Sequence, residues 1–126
     1  MLLQYLMISI GGFLGAVSRF FISARVQGLS NSFFPFGTLA VNMLGCLLIG
    51  FLFGIIDKTQ LLGLSAKHLL ITGFLGAFTT FSTFGYETFI LIRDRKIIQA
   101  FANIFIQIIV GILAVWFGYT IAVFLI

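Results

Sequence analysis

Apolar residues run along this chain in four long blocks, near residues 3–24, 36–56, 68–92 and 97–126, and short stretches between them hold nearly all of the charge. Each block is about 20 residues or longer, the length an α-helix needs to cross a bilayer core. A bilayer admits only helices or closed barrels, and these blocks lack the period-two alternation of a barrel strand. The pattern therefore predicts an all-α integral membrane protein, a single domain over 1–126 built from four transmembrane helices.

The polar and small residues inside the blocks carry the remaining information. In the first, Gly11, Gly15 and Arg19 fall four apart and share a helix face, where the glycines let a neighbouring backbone approach closely. Arg19 would cost about 2.5–3.5 kcal/mol at a helix centre on insertion scales. It is either an arginine that snorkels to the headgroups or a fixed positive charge beside an aqueous vestibule. Pro35 opens the second block, where a missing N–H is harmless. Thr38 and Asn42 follow one turn apart, and Gly50 and Gly54 form a second small-residue pair. The Asn42 amide must either bond to another helix or line a wet cavity.

The third block departs most from a plain span. It contains GFLGAFTTFSTFGYE from Gly73 to Glu87, in which Gly73 and Gly76 precede Thr79, Thr80, Ser82 and Thr83. Glycines followed by β-branched threonines make poor mid-helix sequence, and hydroxyls can satisfy backbone groups that an opened helix releases. A broken helix is predicted near Gly76–Thr80, with a glycine kink as the plainer alternative. A break at bilayer depth is tolerated only inside protein or beside water, and its freed carbonyls are cation ligands. Phe81 and Phe84 share a face after the break, and Thr80, Thr83 and Glu87 share the adjoining one. The phenylalanines are either packing or a pair of positive ring edges able to meet a small anion. Glu87 is the only acidic residue within a block and must face polar company. His68 is read as a solvated residue at the start of the helix.

In the fourth block Asn103 and Gln107 lie one turn apart, with Gly111 a turn further. Two amides facing lipid would be costly, so this stripe faces the bundle or a pore. One subunit of four helices leaves little room for an enclosed wet path, and a homodimer is expected.

Composition sharpens the environment. The chain is 61% hydrophobic and only 8% charged, with a net charge of +4. A soluble domain needs roughly a quarter of its residues charged, so lipid is the main solvent. No Lys or Arg precedes the first block, which argues against a cleavable signal. The single Cys46 cannot form an intrachain disulfide and is read as packing. The excess positive charge is loop charge facing lipid headgroups, with nothing to suggest nucleic acid. Arg25, Arg93, Arg95 and Lys96 lie on one side and Lys58 and Lys67 on the other, a mild bias under the positive-inside rule.

Three stretches, GFLGAFTTFSTF in the third block, GGFLGAVSRF from Gly11 and FGTLAVNMLGCLLIG from Phe36, resemble the Fluc/CrcB family of fluoride channels, and the similarity runs through all four blocks. The resemblance implies an antiparallel, dual-topology homodimer in a bacterial inner membrane, exporting fluoride from the cytoplasm to relieve its toxicity. It implies two pathways in which the edges of Phe81 and Phe84 meet fluoride and Asn42 points inward, with Thr80, Thr83, Asn103 and Gln107 supplying polar groups. It places Arg19 near the vestibule, Glu87 after the phenylalanine pair, and a structural Na⁺ at the dimer centre on the carbonyls of Gly76 and Thr79. No further protein partner is implied. The chain departs from the family where Ala77 follows Gly76 in place of a second glycine, and where Gly111 replaces a hydroxyl residue.

The main alternative is a small dual-topology multidrug or cation exporter, whose chemistry wants a carboxylate in the first helix, where this chain has Arg19. A fluoride–proton antiporter would use Glu87 as proton carrier, and a purely structural subunit would not need the TTFSTF string or the amide stripes. An enzyme is not expected, because the chain has no nucleophile–base pair, metal-ligand cluster or phosphate loop.

Overall fold

Four helical spans are long and apolar enough to cross a membrane, Leu2–Gly28, Phe36–Thr59, Leu64–Arg93 and Ile97–Leu125, and the chain is a multi-pass membrane protein. They are seen in a computed structural model that describes residues 1–126 and contains no strand. Helix α1 is Leu2–Gly28 and α2 is Phe36–Thr59. The third span is two helices: α3 runs through Leu64–Lys67, a π-helical His68–Leu75 and a last turn Gly76–Phe78, and α4 is Phe81–Arg93. The fourth span, α5, covers Ile97–Leu125 with a π-helical segment Ile106–Val110 inside it.

The first three observed spans overrun their apolar blocks, because a helix continues into the headgroup region where polar residues are welcome. The third starts at Leu64, after an extended Gly63, so His68 lies one turn inside it and is half-buried. The helix therefore does not start at His68, as hydropathy suggests. Backbone geometry ends the helices. Gln60 stops α2 in the left-handed region at φ 51°. After α4, Arg95 sits at φ 59° while its N–H donates to Ile92 O and the Lys96 N–H donates to Leu91 O, the double bond of a Schellman cap.

Small residues set the packing. The backbone of α1 lies against α3 so closely that a methyl on Gly11 or Gly15 would meet the carbonyl oxygens of Leu69 and Phe74. In the same way α2 and α5 meet where Gly50 faces the Val115 carbonyl and Gly118 faces the Leu47 carbonyl. Only 22 of 126 residues are buried, and the largest fully buried side chains are Val41 and Asn103. The apolar exterior is left to lipid, and the interior is where the polar side chains gather.

Candidate functional site

The centre of the site is two residues of extended backbone. Thr79 (φ −88°, ψ 158°) and Thr80 (φ −152°, ψ 116°) separate α3 from α4. The threonines repair part of the damage. Thr79 Oγ1 donates to Leu75 O at 2.9 Å, closing the end of α3, and Thr80 Oγ1 accepts from the Thr83 N–H at 3.2 Å, capping α4.

Asn42 repairs the rest from across the bundle. Its Oδ1 accepts from the Thr80 N–H at 2.8 Å, and its Nδ2 donates to Thr80 O at 3.1 Å. The side-chain amide thus pairs with Thr80 as a neighbouring strand would. The second Nδ2 proton goes to Gln107 Oε1 at 3.0 Å. Polarity then runs one way. A backbone N–H can only donate, so Asn42 must turn its oxygen to Thr80 and its nitrogen to Gln107, which must answer with its own oxygen. The Gln107 Nε2 is left buried with no partner. Both donors of Asn42 are taken by protein; the unpartnered donor in this group belongs to Gln107.

These residues share a cleft of about 360 Å³ with Phe81, Phe84, Gly76 and Thr79. The rings of Phe81 and Phe84 meet edge to face, 5.4 Å between centroids and 64° between planes. Sequence spacing puts them on one helix face, but their surroundings differ: Phe84 is 7% exposed within the bundle, whereas Phe81 is 80% exposed on the protomer surface.

A second cleft, about 460 Å³, adjoins the first at Thr80 and is lined by Arg19, Thr83, Gln27 and Thr38. A third, about 420 Å³, adjoins the second at Gln27 and Thr38 and contains Glu87, Arg93, Asp94 and Lys96. Thr38 Oγ1 donates to Glu87 Oε1 at 2.8 Å, while Glu87 Oε2 is buried without a partner. Arg19 therefore lies on a cleft wall. Lys96 also faces protein, with its Nζ 3.0 Å from the centre of the Phe33 ring, although loop position alone assigned it to lipid headgroups.

Asn103 stands apart. It is completely buried and lines none of these clefts; its Nδ2 donates to Thr88 Oγ1 at 2.9 Å, and Thr88 Oγ1 donates to Phe84 O at 2.8 Å. The unpartnered atom is its Oδ1, an acceptor. The four-residue spacing puts Asn103 and Gln107 on one face, yet the π-helical turn at Ile106–Val110 changes the register there, and the two amides end with different partners.

No group of three or more His, Cys, Asp or Glu lies together. Any cation at the break would depend on backbone oxygen. The Thr80 N–H that would close a turn on the Gly76 carbonyl is diverted to Asn42, and Gly76 is exposed beside the gap. The carbonyls of Gly76 and Thr79, at the negative end of α3, are hard donors that fit an alkali cation.

Sequence reading missed two contributors. Gln27 ties the loop between α1 and α2, donating to Ser32 O and Phe34 O and accepting from the Gly37 N–H. An amide at a helix end beside a serine-rich turn was its only signal. Thr88 was hidden because its role is to answer Asn103.

A family profile described as "CrcB-like protein, Camphor Resistance (CrcB)" matches residues 6–119. A protein of Pseudoalteromonas translucida named "Fluoride-specific ion channel FluC" is 46% identical over 112 residues, 89% of this chain and 93% of that one. A protein of the same name from Nitratiruptor sp. is 49% identical over 105 residues, 83% of this chain and 80% of its own. One from Nitratidesulfovibrio vulgaris is 40% identical over 115 residues, 91% and 93% respectively.

Proposed function

This chain belongs to the CrcB family, and from that premise we propose that it is a passive, fluoride-selective channel rather than an enzyme, releasing fluoride from the cytoplasm of a bacterium across its inner membrane. The observation that carries the reading is the helix break clamped by Asn42, with the Phe81–Phe84 edge pair and the unpartnered Gln107 amide around one cleft. Fluoride leaves water at great cost, so a pore must offer donors that replace its hydration and still let it go. Gln107 Nε2 supplies N–H donors whose direction Asn42 holds, and the phenyl rings add weakly positive C–H edges. Thr80 and Thr83 carry hydroxyls toward the neighbouring cleft, and Arg19 supplies positive potential there. Asn103 serves the pathway indirectly, by fixing Thr88 against the Phe84 carbonyl.

The active form is an antiparallel homodimer. Phe81 and Gly76, exposed on the protomer, become interior at the subunit contact, and polar paths run between the copies. The carbonyls of Gly76 and Thr79 from both subunits would hold a Na⁺ at that contact, whose positive charge would fasten the two breaks together.

Proteoliposomes loaded with fluoride test the reading. With a potassium ionophore present, fluoride leaves within seconds, chloride stays, and no proton flux accompanies the fluoride. Coupled proton movement would transfer Glu87 to the role of proton carrier; absence of fluoride flux from well-folded protein would sink the channel reading.

A further inference from the structure

Four ionisable side chains line the third cleft, two basic and two acidic, and they are not equivalent. The Arg93 Nε is 2.9 Å from Asp94 Oδ1, the only salt bridge in the chain, so that pair adds little net field. Glu87 accepts from Thr38 through Oε1, and no cation lies within bridging distance of it. Lys96 has no carboxylate within bridging distance and is the one cation there whose charge no partner cancels.

Lys96 is also held in place. Its N–H donates to Leu91 O at 2.7 Å and its carbonyl accepts from the Ala100 N–H at 3.0 Å, which fixes the backbone between α4 and α5. Its ammonium rests on the face of Phe33 in the loop between α1 and α2, and Gln27 anchors that loop on both sides of the ring. A cation over an aromatic face keeps its charge without a counter-ion.

We propose that Lys96 gathers anions at the loop end of the pathway: its unpaired ammonium, pinned by Phe33, raises the fluoride concentration in the cleft ahead of Glu87 and Thr38. This rests on the fluoride-channel reading above. Long-range attraction of this kind acts on the rate of entry and fades as salt screens it, over a Debye length of about 30 Å at 0.01 M and about 3 Å at 1 M.

The test is the initial rate of fluoride efflux from vesicles of neutral phosphatidylcholine, at fixed fluoride and with ionic strength raised by potassium sulfate. Lys96→Gln is expected to lower the rate about threefold at low ionic strength, and Lys96→Glu about tenfold, with both differences vanishing at high ionic strength. Lys96→Arg restores the rate. A loss of the same size at every ionic strength would mean that Lys96 only braces the two loops, and it would overturn the proposal. So would unchanged rates in the Gln and Glu variants. If the parent protein itself passes no fluoride, the channel reading fails first and this inference goes with it.

Discussion

Thr80 holds an N–H that neither helix can use, and that single donor orders the amides around it. Asn42 answers it with Oδ1, Gln107 answers Asn42 with Oε1, and the Gln107 Nε2 is left without a partner, on a residue that lines the same cleft as Phe84. Asn42→Asp keeps the shape but removes both donors, breaking the bonds to Thr80 O and Gln107. Each buried hydrogen bond lost leaves an unsatisfied partner at about 1–3 kcal/mol, so fluoride efflux should fall at least about tenfold. An Asn42→Asp channel as fast as the parent would show that the amide chain does not direct the anion. Phe81→Ile keeps an apolar side chain of similar bulk without a ring edge. Fluoride flux should drop strongly while the protein remains a folded dimer; an unaltered rate would remove the phenyl edge from the mechanism.

At the scale of helices, the contacts depend on what is missing. Gly118 brings α5 onto the Leu47 carbonyl of α2, and a side chain there must push the two backbones apart. Gly118→Val should lower stability by about 1–3 kcal/mol, the range for overpacking a tight contact, seen as a lower melting midpoint in detergent. Gly12, on the same helix as Gly11 but with open space around it, is the control: Gly12→Ala should leave the midpoint within experimental scatter. The cap of α4 gives a second measure. Thr80→Val removes the hydroxyl that accepts from the Thr83 N–H and should cost about 1 kcal/mol.

For the whole molecule, the exposure of Phe81 and Gly76 on one protomer matters most, since both belong to the site and neither is enclosed by its own chain. In the proposed dimer a second copy would complete them. The dimer should persist in detergent with sodium and weaken when sodium is replaced by a large organic cation, as followed by light scattering on a sizing column. A dimer indifferent to sodium would remove the cation from the break. Reporter fusions at the C-terminus should be active on both sides of the membrane, because four Lys and Arg on one side against two on the other orient the chain only weakly. A single orientation would exclude the antiparallel pair.

The four spans, their helical nature and the location of the break were legible without a fold, since hydropathy and the glycine–threonine composition of 76–80 act locally along the chain. So was nearly every polar residue that gathers inside, because a polar group in lipid has no other tolerable place. Which partner each would take was not. Asn42 could bond to protein or face water, and only the fold shows both its donors taken and the unpartnered amide passed to Gln107. Asn103 and Gln107 looked like one stripe until Thr88 of α4 took one and Asn42 of α2 the other. Lys96 read as a headgroup contact until the loop between α1 and α2 laid Phe33 beneath it. In each case the deciding contact joins residues far apart in the chain, and a periodicity confined to one helix carries no information about what the next helix presents to it.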